Sequence, residues 1–286
     1  MDNKCAPGNK YQKGSCYTLE NLINIAIAFN KNYPNDKIIL KSDKKYLLKS
    51  LSINMKNKFN CNNQMCWLKT KLLKNMDNEN INFFTFRPNG PEKRSEWLST
   101  NDINHVVYQY EKIYDNFNFF GAVPYDFQDL PILDVYNVNF NNLLNNNKSR
   151  IGLVINLDKH TESGSHWVSL YSDFKKNQIY FFDSFAKKPG KEIKTFLGQI
   201  LNFLYEKKYN KTLKEEMIFT KDPSLESFDV RYNKIRHQFK SSDCGVYSIN
   251  FILRLLKGES FDYITKNITK DDDMNECRKV YFSNVK

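Results

Sequence analysis

Apolar positions between residues 18 and 56 recur with a helical period. Thr18 can cap a helix in which Leu22, Ile25, Ala26 and Phe29 fall on one face. Tyr33-Pro34-Asn35-Asp36 stops that helix, and Lys37-Ile38-Ile39-Leu40 is a short extended run. Tyr46, Leu47, Leu48 and Leu51, set between lysines, predict a second helix. Residues 76–95 are polar and contain Arg87-Pro88-Asn89-Gly90-Pro91, turn chemistry that predicts a boundary near residue 90. This divides the chain into residues 1–90, small and mainly helical, and residues 91–286. Beyond the boundary, Trp97-Leu98 and Asp102-Ile103 open a helix-like stretch through Val107, Tyr110 and Tyr114, and Gly121 to Pro131 reads as an aromatic loop.

From residue 151 the period changes. Ile151-Gly152-Leu153-Val154-Ile155-Asn156-Leu157 is a short run rich in branched residues, as a buried strand requires. Trp167 to Tyr171 and Gln178 to Phe182 predict two more strands, joined by the polar hairpin Ser172 to Asn177. Residues 191–208 carry an amphipathic helix on Ile193, Phe196, Leu197, Ile200 and Leu204. Met217-Ile218-Phe219 is expected as a further strand and Gly245 to Leu256 as an apolar helix. The fold class is therefore α+β, with a central mixed, mainly antiparallel sheet and helices.

Composition narrows the classes. With 41% hydrophobic and 15% aromatic residues among 286, the chain is too apolar to be disordered. It contains no run approaching the roughly 20 apolar residues of a membrane span, and Met1-Asp2-Asn3-Lys4 lacks the apolar core of a secretory signal, so retention in a cytosol is expected. The net charge is +11, of which +9 sits in the first 100 residues. Such a field favours anionic partners, nucleic acid among them. The helix, extended segment and basic helix of residues 18–56 resemble small nucleic-acid-binding modules of the SAP and Rho N-terminal kind, while a basic packing appendage fits the same residues. The six cysteines form no regular ladder, and a chain of this size does not need disulfides, so reduced thiols are expected. Cys5, Cys16, Cys61 and Cys66 suit zinc poorly because the first pair is widely spaced. No metal or organic cofactor is expected.

A cysteine nucleophile needs a base, a group to orient the base, and donors for the oxyanion that develops on the attacked carbonyl. Cys244 falls at the N-terminus of the apolar helix, where free amides and the helix dipole favour a thiolate. Gly245 lets a substrate backbone approach closely. His166 stands at the start of one predicted strand and Asp183 at the end of the next, positions that a hairpin brings together. Gln238 can offer its side-chain amide to the oxyanion. His160 lies in a polar loop, His237 reads as a surface or supporting group, His105 lies on a helical face, and Asp243 is expected to cap the helix that Cys244 begins.

The strings Gly164-Ser165-His166-Trp167-Val168, Phe182-Asp183-Ser184, and Gln238 through Ser242-Asp243-Cys244-Gly245-Val246-Tyr247 resemble the cysteine proteases typified by adenain and the SUMO-specific proteases. The order His, Asp, Cys is that family's and differs from papain, where Cys comes first. The resemblance implies a papain-like protease fold over about residues 97–265 and a His166, Asp183, Cys244 triad with Gln238 at the oxyanion. It also implies a Trp167 that covers a tunnel admitting only Gly-Gly. Trp97-Leu98 looks like the opening of the family's protease domain. A closer likeness is to the polyprotein-processing proteases of African swine fever virus and other large cytoplasmic DNA viruses. It rests on Asn156-Leu157-Asp158, on Ile235-Arg236-His237-Gln238, and on an additional N-terminal domain with a Cys61/Cys66 pair; the chain departs in carrying Asp183 where that relative carries asparagine. An endopeptidase that matures viral structural precursors after Gly-Gly sites, in the virion and host cytoplasm, is the implied function. Its implied partner is a precursor polyprotein. A deconjugating isopeptidase acting on SUMO-like or ubiquitin-like proteins would use the same triad. A nucleic-acid-binding scaffold with a vestigial triad is the alternative from another class, and the four intact positions argue against it.

Overall fold

The computed structural model describes residues 4–76, 78–214, 217–240 and 242–285. The chain forms two compact units, one running to Asn89 and including Tyr281–Ser283, the other taking Gly90–Val280 and Asn284 onward.

In the first unit, α1 spans Leu19–Asn32 and α2 spans Lys44–Phe59. Thr18 and Asn21 form a reciprocal capping box at the start of α1, and the Asp43 carboxylate accepts from the Lys45 and Tyr46 amides at the start of α2. Leu22, Ile25, Ala26 and Phe29 of α1 and Leu47, Leu51 and Met55 of α2 enter one core, which also holds Trp67, stacked on Tyr17 at 5.6 Å. Two disulfides, Cys5–Cys16 and Cys61–Cys66, overturn both the expectation of reduced thiols and the four-thiolate alternative. The unit that holds these cysteines has fewer than about 100 residues and a small core of its own, the setting in which covalent staples matter.

The second unit is built on one sheet in the order β1-β2-β3-β4-β5. Its strands are β1 Phe117–Val123, β2 Arg150–Asn156, β3 Trp167–Asp173, β4 Gln178–Phe182 and β5 Asp229–Tyr232. The pairs β2/β3 and β3/β4 are antiparallel, and β1/β2 and β4/β5 are parallel. The sheet is thus mixed as expected, with its antiparallel pairs at the centre and the parallel pairs at the two edges. β1 corrects the reading of Gly121 onward as loop: the strand crosses Gly121 at φ 95° and shifts register between Phe119 and Ala122, which hides its alternation. Met217-Ile218-Phe219 is a turn rather than a strand, with Phe219 at φ 64°, a conformation that cannot continue an extended run. The fifth strand lies later, at Asp229–Tyr232.

Helices cover both faces. On one face, α4 (Lys191–Tyr209, following α3 at Thr100–Tyr108) buries Ile193, Phe196, Leu197 and Ile200 in a cluster with Ile151, Leu153, Val168, Leu170 and Phe181. Each such side chain contributes about 1.5–3 kcal/mol on burial. The alternate sheet positions face α5, Cys244–Leu256. Phe182 stacks on Phe251 at 4.7 Å, and a Cβ on Gly152 would stand 3.4 Å from Ile252 and 2.8 Å from Phe117. The sheet therefore fixes the helix that carries Cys244.

Candidate active site

The antiparallel register of β3 and β4 pairs Ser169 with Phe182, so the residues just before β3 and just after β4 meet at one end of the sheet. There a ring nitrogen of His166, Nε2, donates to Asp183 Oδ1 at 2.6 Å. The Leu157 amide donates to the His166 carbonyl at 2.9 Å and holds its backbone. Phe185 stacks on the imidazole at 4.4 Å and 7°. Asp183 is buried. Its Oδ1 also accepts from the Phe185 amide at 2.8 Å, and its Oδ2 from the Lys187 amide at 3.2 Å. Asn233, directly after β5, brackets the same residue: Oδ1 accepts from the Asp183 amide at 2.9 Å and Nδ2 donates to the Asp183 carbonyl at 2.7 Å.

Cys244 is the first residue of α5, buried, and its side chain lies close enough to His166 to act on the imidazole. Since Nε2 is committed to Asp183, Nδ1 is the ring nitrogen left for the thiol. Burial pushes the imidazole's pKa down, but the hydrogen bonds and negative charge of Asp183 and Cys244 outweigh it and raise the value to about 9. A His held between a carboxylate and a thiol at a helix N-terminus can deprotonate the thiol and then return the proton to a leaving group.

Gln238 is fully buried beside this group. Its Oε1 accepts from Ser184 Oγ at 2.6 Å and its Nε2 donates to the Lys240 carbonyl at 2.6 Å. A carboxamide has two N–H donors, so one is spent on Lys240 and the second is available. Trp167 is buried, with its Nε1 donating to the Leu98 carbonyl at 2.9 Å. A Cβ on Gly245 would stand 3.1 Å from Leu98 Cβ and 3.3 Å from Trp167 Cδ1. Trp97 is exposed next to Leu98.

The remaining candidates lie elsewhere. His160 is exposed and paired with Asp126 at 2.6 Å. His105 is exposed on α3. His237 is buried, with Nε2 on the Thr265 carbonyl at 3.1 Å; burial pushes its pKa down, partly offset by that carbonyl, and the Arg254 charge lowers it further. Asp243 makes no side-chain cap, contrary to expectation. Its Oδ1 accepts instead from Arg278 Nε at 3.0 Å, Arg278 Nη2 at 2.9 Å and Asn275 Nδ2 at 3.0 Å, because a buried guanidinium competes for the carboxylate. Arg278 Nη2 also donates to the Ser242 carbonyl at 3.0 Å, so this pair anchors the backbone leading to Cys244. Among the described residues no cluster of three His, Cys, Asp or Glu could hold a metal.

Comparison with known proteins places this arrangement. The model of the Ulp1 protease family, C-terminal catalytic domain, matches residues 137–286. A thiol protease of Acanthamoeba polyphaga mimivirus is 35% identical over 99% of this chain and 94% of its own length. The chain belongs to the Ulp1 protease family. This Ulp1-family chain is accordingly a cysteine protease. It is also 26% identical to a cysteine protease of African swine fever virus, over 46% of this chain and 43% of that protein. The crystal structure of the African swine fever virus protease shares the fold, with a TM-score of 0.65 at 16% identity over 99% of this chain and 96% of that one.

Proposed function

We propose that this chain is a thiol endopeptidase that cleaves after Gly-Gly-type sites and matures viral structural precursors at assembly sites in the host cytoplasm and in the particle. The observation that carries the chemistry is the chain of contacts from Asp183 through His166 to Cys244 at the start of α5. Cys244 Sγ, its proton taken by His166 Nδ1, attacks the carbonyl carbon. The C–N bond breaks as His166 returns the proton to the leaving amine, and a thioester remains. His166 then takes a proton from a water whose oxygen attacks the thioester carbonyl; the C–S bond breaks, the acid leaves, and His166 returns the proton to Cys244 Sγ. Asp183 holds the imidazole orientation, and the second N–H of Gln238 together with the Cys244 amide meets the oxyanion.

The Gly-Gly preference is supported by the tight packing of Trp167, Leu98 and Gly245, which leaves little room beside the nucleophile for a substrate side chain. The mimivirus thiol protease that matches 99% of this chain supports a viral enzyme, and the maturation role rests on the resemblance of this chain's motifs to the viral polyprotein-processing proteases. We assign the first unit an accessory role. Lys45, Lys49 and Lys56 are exposed along one side of α2 and suit an anionic tether such as nucleic acid. Among the described residues no helix is long and apolar enough to cross a membrane.

Deconjugation of ubiquitin-like proteins is the second reading, favoured by the African swine fever virus relatives that are named SUMO-1 cysteine proteases. The deciding experiment offers a Gly-Gly-containing precursor peptide and a SUMO-like conjugate side by side. Maturation predicts faster turnover of the precursor; faster turnover of the conjugate moves the role to deconjugation.

A further inference from the structure

The loop between β5 and α5 presents Arg236 beside the reaction centre. Phe185 offers two ring faces. The His166 imidazole covers one at 4.4 Å, and the Arg236 guanidinium lies over the ring at 5.0 Å. Phe239 closes over the same guanidinium at 5.0 Å while remaining 69% exposed. Arg236 Nε donates to the Gln238 carbonyl at 2.6 Å, which fixes the plane of the fork.

The segment that carries these groups is held at several points. The His237 and Gln238 amides donate to the Ser184 carbonyl at 2.8 and 3.0 Å, and the Phe239 and Lys240 amides donate to Asp271 Oδ2 at 2.9 and 3.0 Å. An ordered loop that keeps a phenylalanine in water and an arginine between two rings gains nothing in folding from that exposure. It is what a preformed binding surface requires, since the ordering cost is met before the partner arrives.

The guanidinium is also unsaturated. Arg231, Arg254 and Arg278 each hold a carboxylate, Asp262, Glu259 and Asp243 respectively. Arg236 has no carboxylate partner among the described residues, and its two Nη groups are uncommitted there. A planar fork with both terminal nitrogens open is the side chain that recognises a carboxylate bidentately. Lys187 and Lys234 are exposed on the neighbouring turns and add to the positive rim.

We propose that Arg236, framed by Phe185 and Phe239, is a specificity residue that binds an acidic side chain of the substrate in the segment following the scissile bond. The inference rests on the assignment of Cys244 and His166 as the reaction centre. On that assignment the segment before the bond runs past Trp167, Leu98 and Gly245, where a Cβ added to Gly245 itself would stand 3.1 Å from Leu98. The leaving segment departs on the His166 side, because His166 gives the amine its proton. The steps of 4.4 and 5.0 Å through Phe185 set the fork at most about 9 Å from the imidazole, within the span of two or three residues of extended chain at about 3.3 Å each. The acidic residue is therefore expected at the second or third position after the cleaved bond.

The test uses Gly-Gly peptides that differ only there, with Glu or Lys. The unaltered protein should cleave the Glu peptide about tenfold faster in kcat/KM, and Arg236→Glu should reverse the order. Arg236→Gln should level the two. These ratios are insensitive to the fraction of each variant that folds. Binding of the same peptides to Cys244→Ser protein, read by fluorescence anisotropy, should show the same order and reversal without requiring turnover. Equal handling of both peptides by the unaltered protein, equal loss on both in Arg236→Glu, or an acidic preference confined to positions before the bond would each overturn the subsite. Binding that discriminates the peptides with no cleavage of either would support the subsite and contradict the peptidase assignment.

Discussion

Asp183 works on His166 through one short hydrogen bond and one charge, and both depend on residues that have no chemistry of their own. Asn233 fixes the Asp183 backbone from both sides, and Ser184 holds the Gln238 carboxamide. Neither role is legible in the sequence, because each is a polar group whose partner is chosen by tertiary contact. Cys244, His166 and Asp183 are legible because the spacing of strands and helix puts them at element ends, and Gln238 through its place six residues before the nucleophile. The raised imidazole value of about 9 has a direct consequence. The protonated ring, which supplies the leaving amine's proton, persists up to that pH in the free enzyme, so the alkaline limb of kcat/KM should fall near 9. In Asp183→Asn the burial that pushes the ring down is opposed by less charge, and the alkaline limb should move to lower pH with a loss of about 10²–10⁴-fold in kcat/KM. A limb that stays in place would mean that another group sets it. The same raised value makes the contribution to folding stability complete below the free imidazole value of 6.5 and lost as pH rises through about 9.

At the scale of elements, the hairpin of β3 and β4 and the helix α5 are the frame of the site. Branched apolar runs predict β2, β3 and β4 because those strands sit in the middle of the sheet with helices on both sides. The two outer strands escape the pattern for different reasons. β1 is broken by a positive-φ glycine, and β5 is a short, half-buried edge that alternates charged and apolar residues. Asp243 illustrates a competition the sequence cannot reveal, since its position suits a helix cap but the buried Arg278 claims it. The contact of α5 with Trp167 and Leu98 depends on Gly245 lacking a side chain. Gly245→Ala, which a helix tolerates, should push against both neighbours and lower kcat/KM on a Gly-Gly peptide by about tenfold, with circular dichroism unchanged. Unchanged cleavage would separate this packing from substrate access.

At the scale of the whole molecule, charge and covalent staples are concentrated in the first unit and the candidate chemistry in the second. The disulfides are not legible in the sequence because the core that needs stapling is that of the first unit, not of the full length. If the first unit tethers the enzyme to nucleic acid, replacing Lys45, Lys49 and Lys56 by Glu should abolish salt-sensitive retention on DNA. It should leave short-peptide cleavage intact, since no part of the triad lies in that unit. Retention that survives would assign the excess charge to solvation. The central claim is that Cys244 is the nucleophile, and a second free thiol, Cys277, is present as an internal control. Burial pushes the Cys277 thiol up, which disfavours its reactive form. The most direct measurement is therefore the site of covalent capture by a Gly-Gly peptide ending in a thiol-reactive vinyl ester, read by mass spectrometry of the digested protein. The account predicts one adduct per molecule on Cys244, lost in His166→Ala; an adduct on Cys277, or none on Cys244 in a folded enzyme, would contradict it.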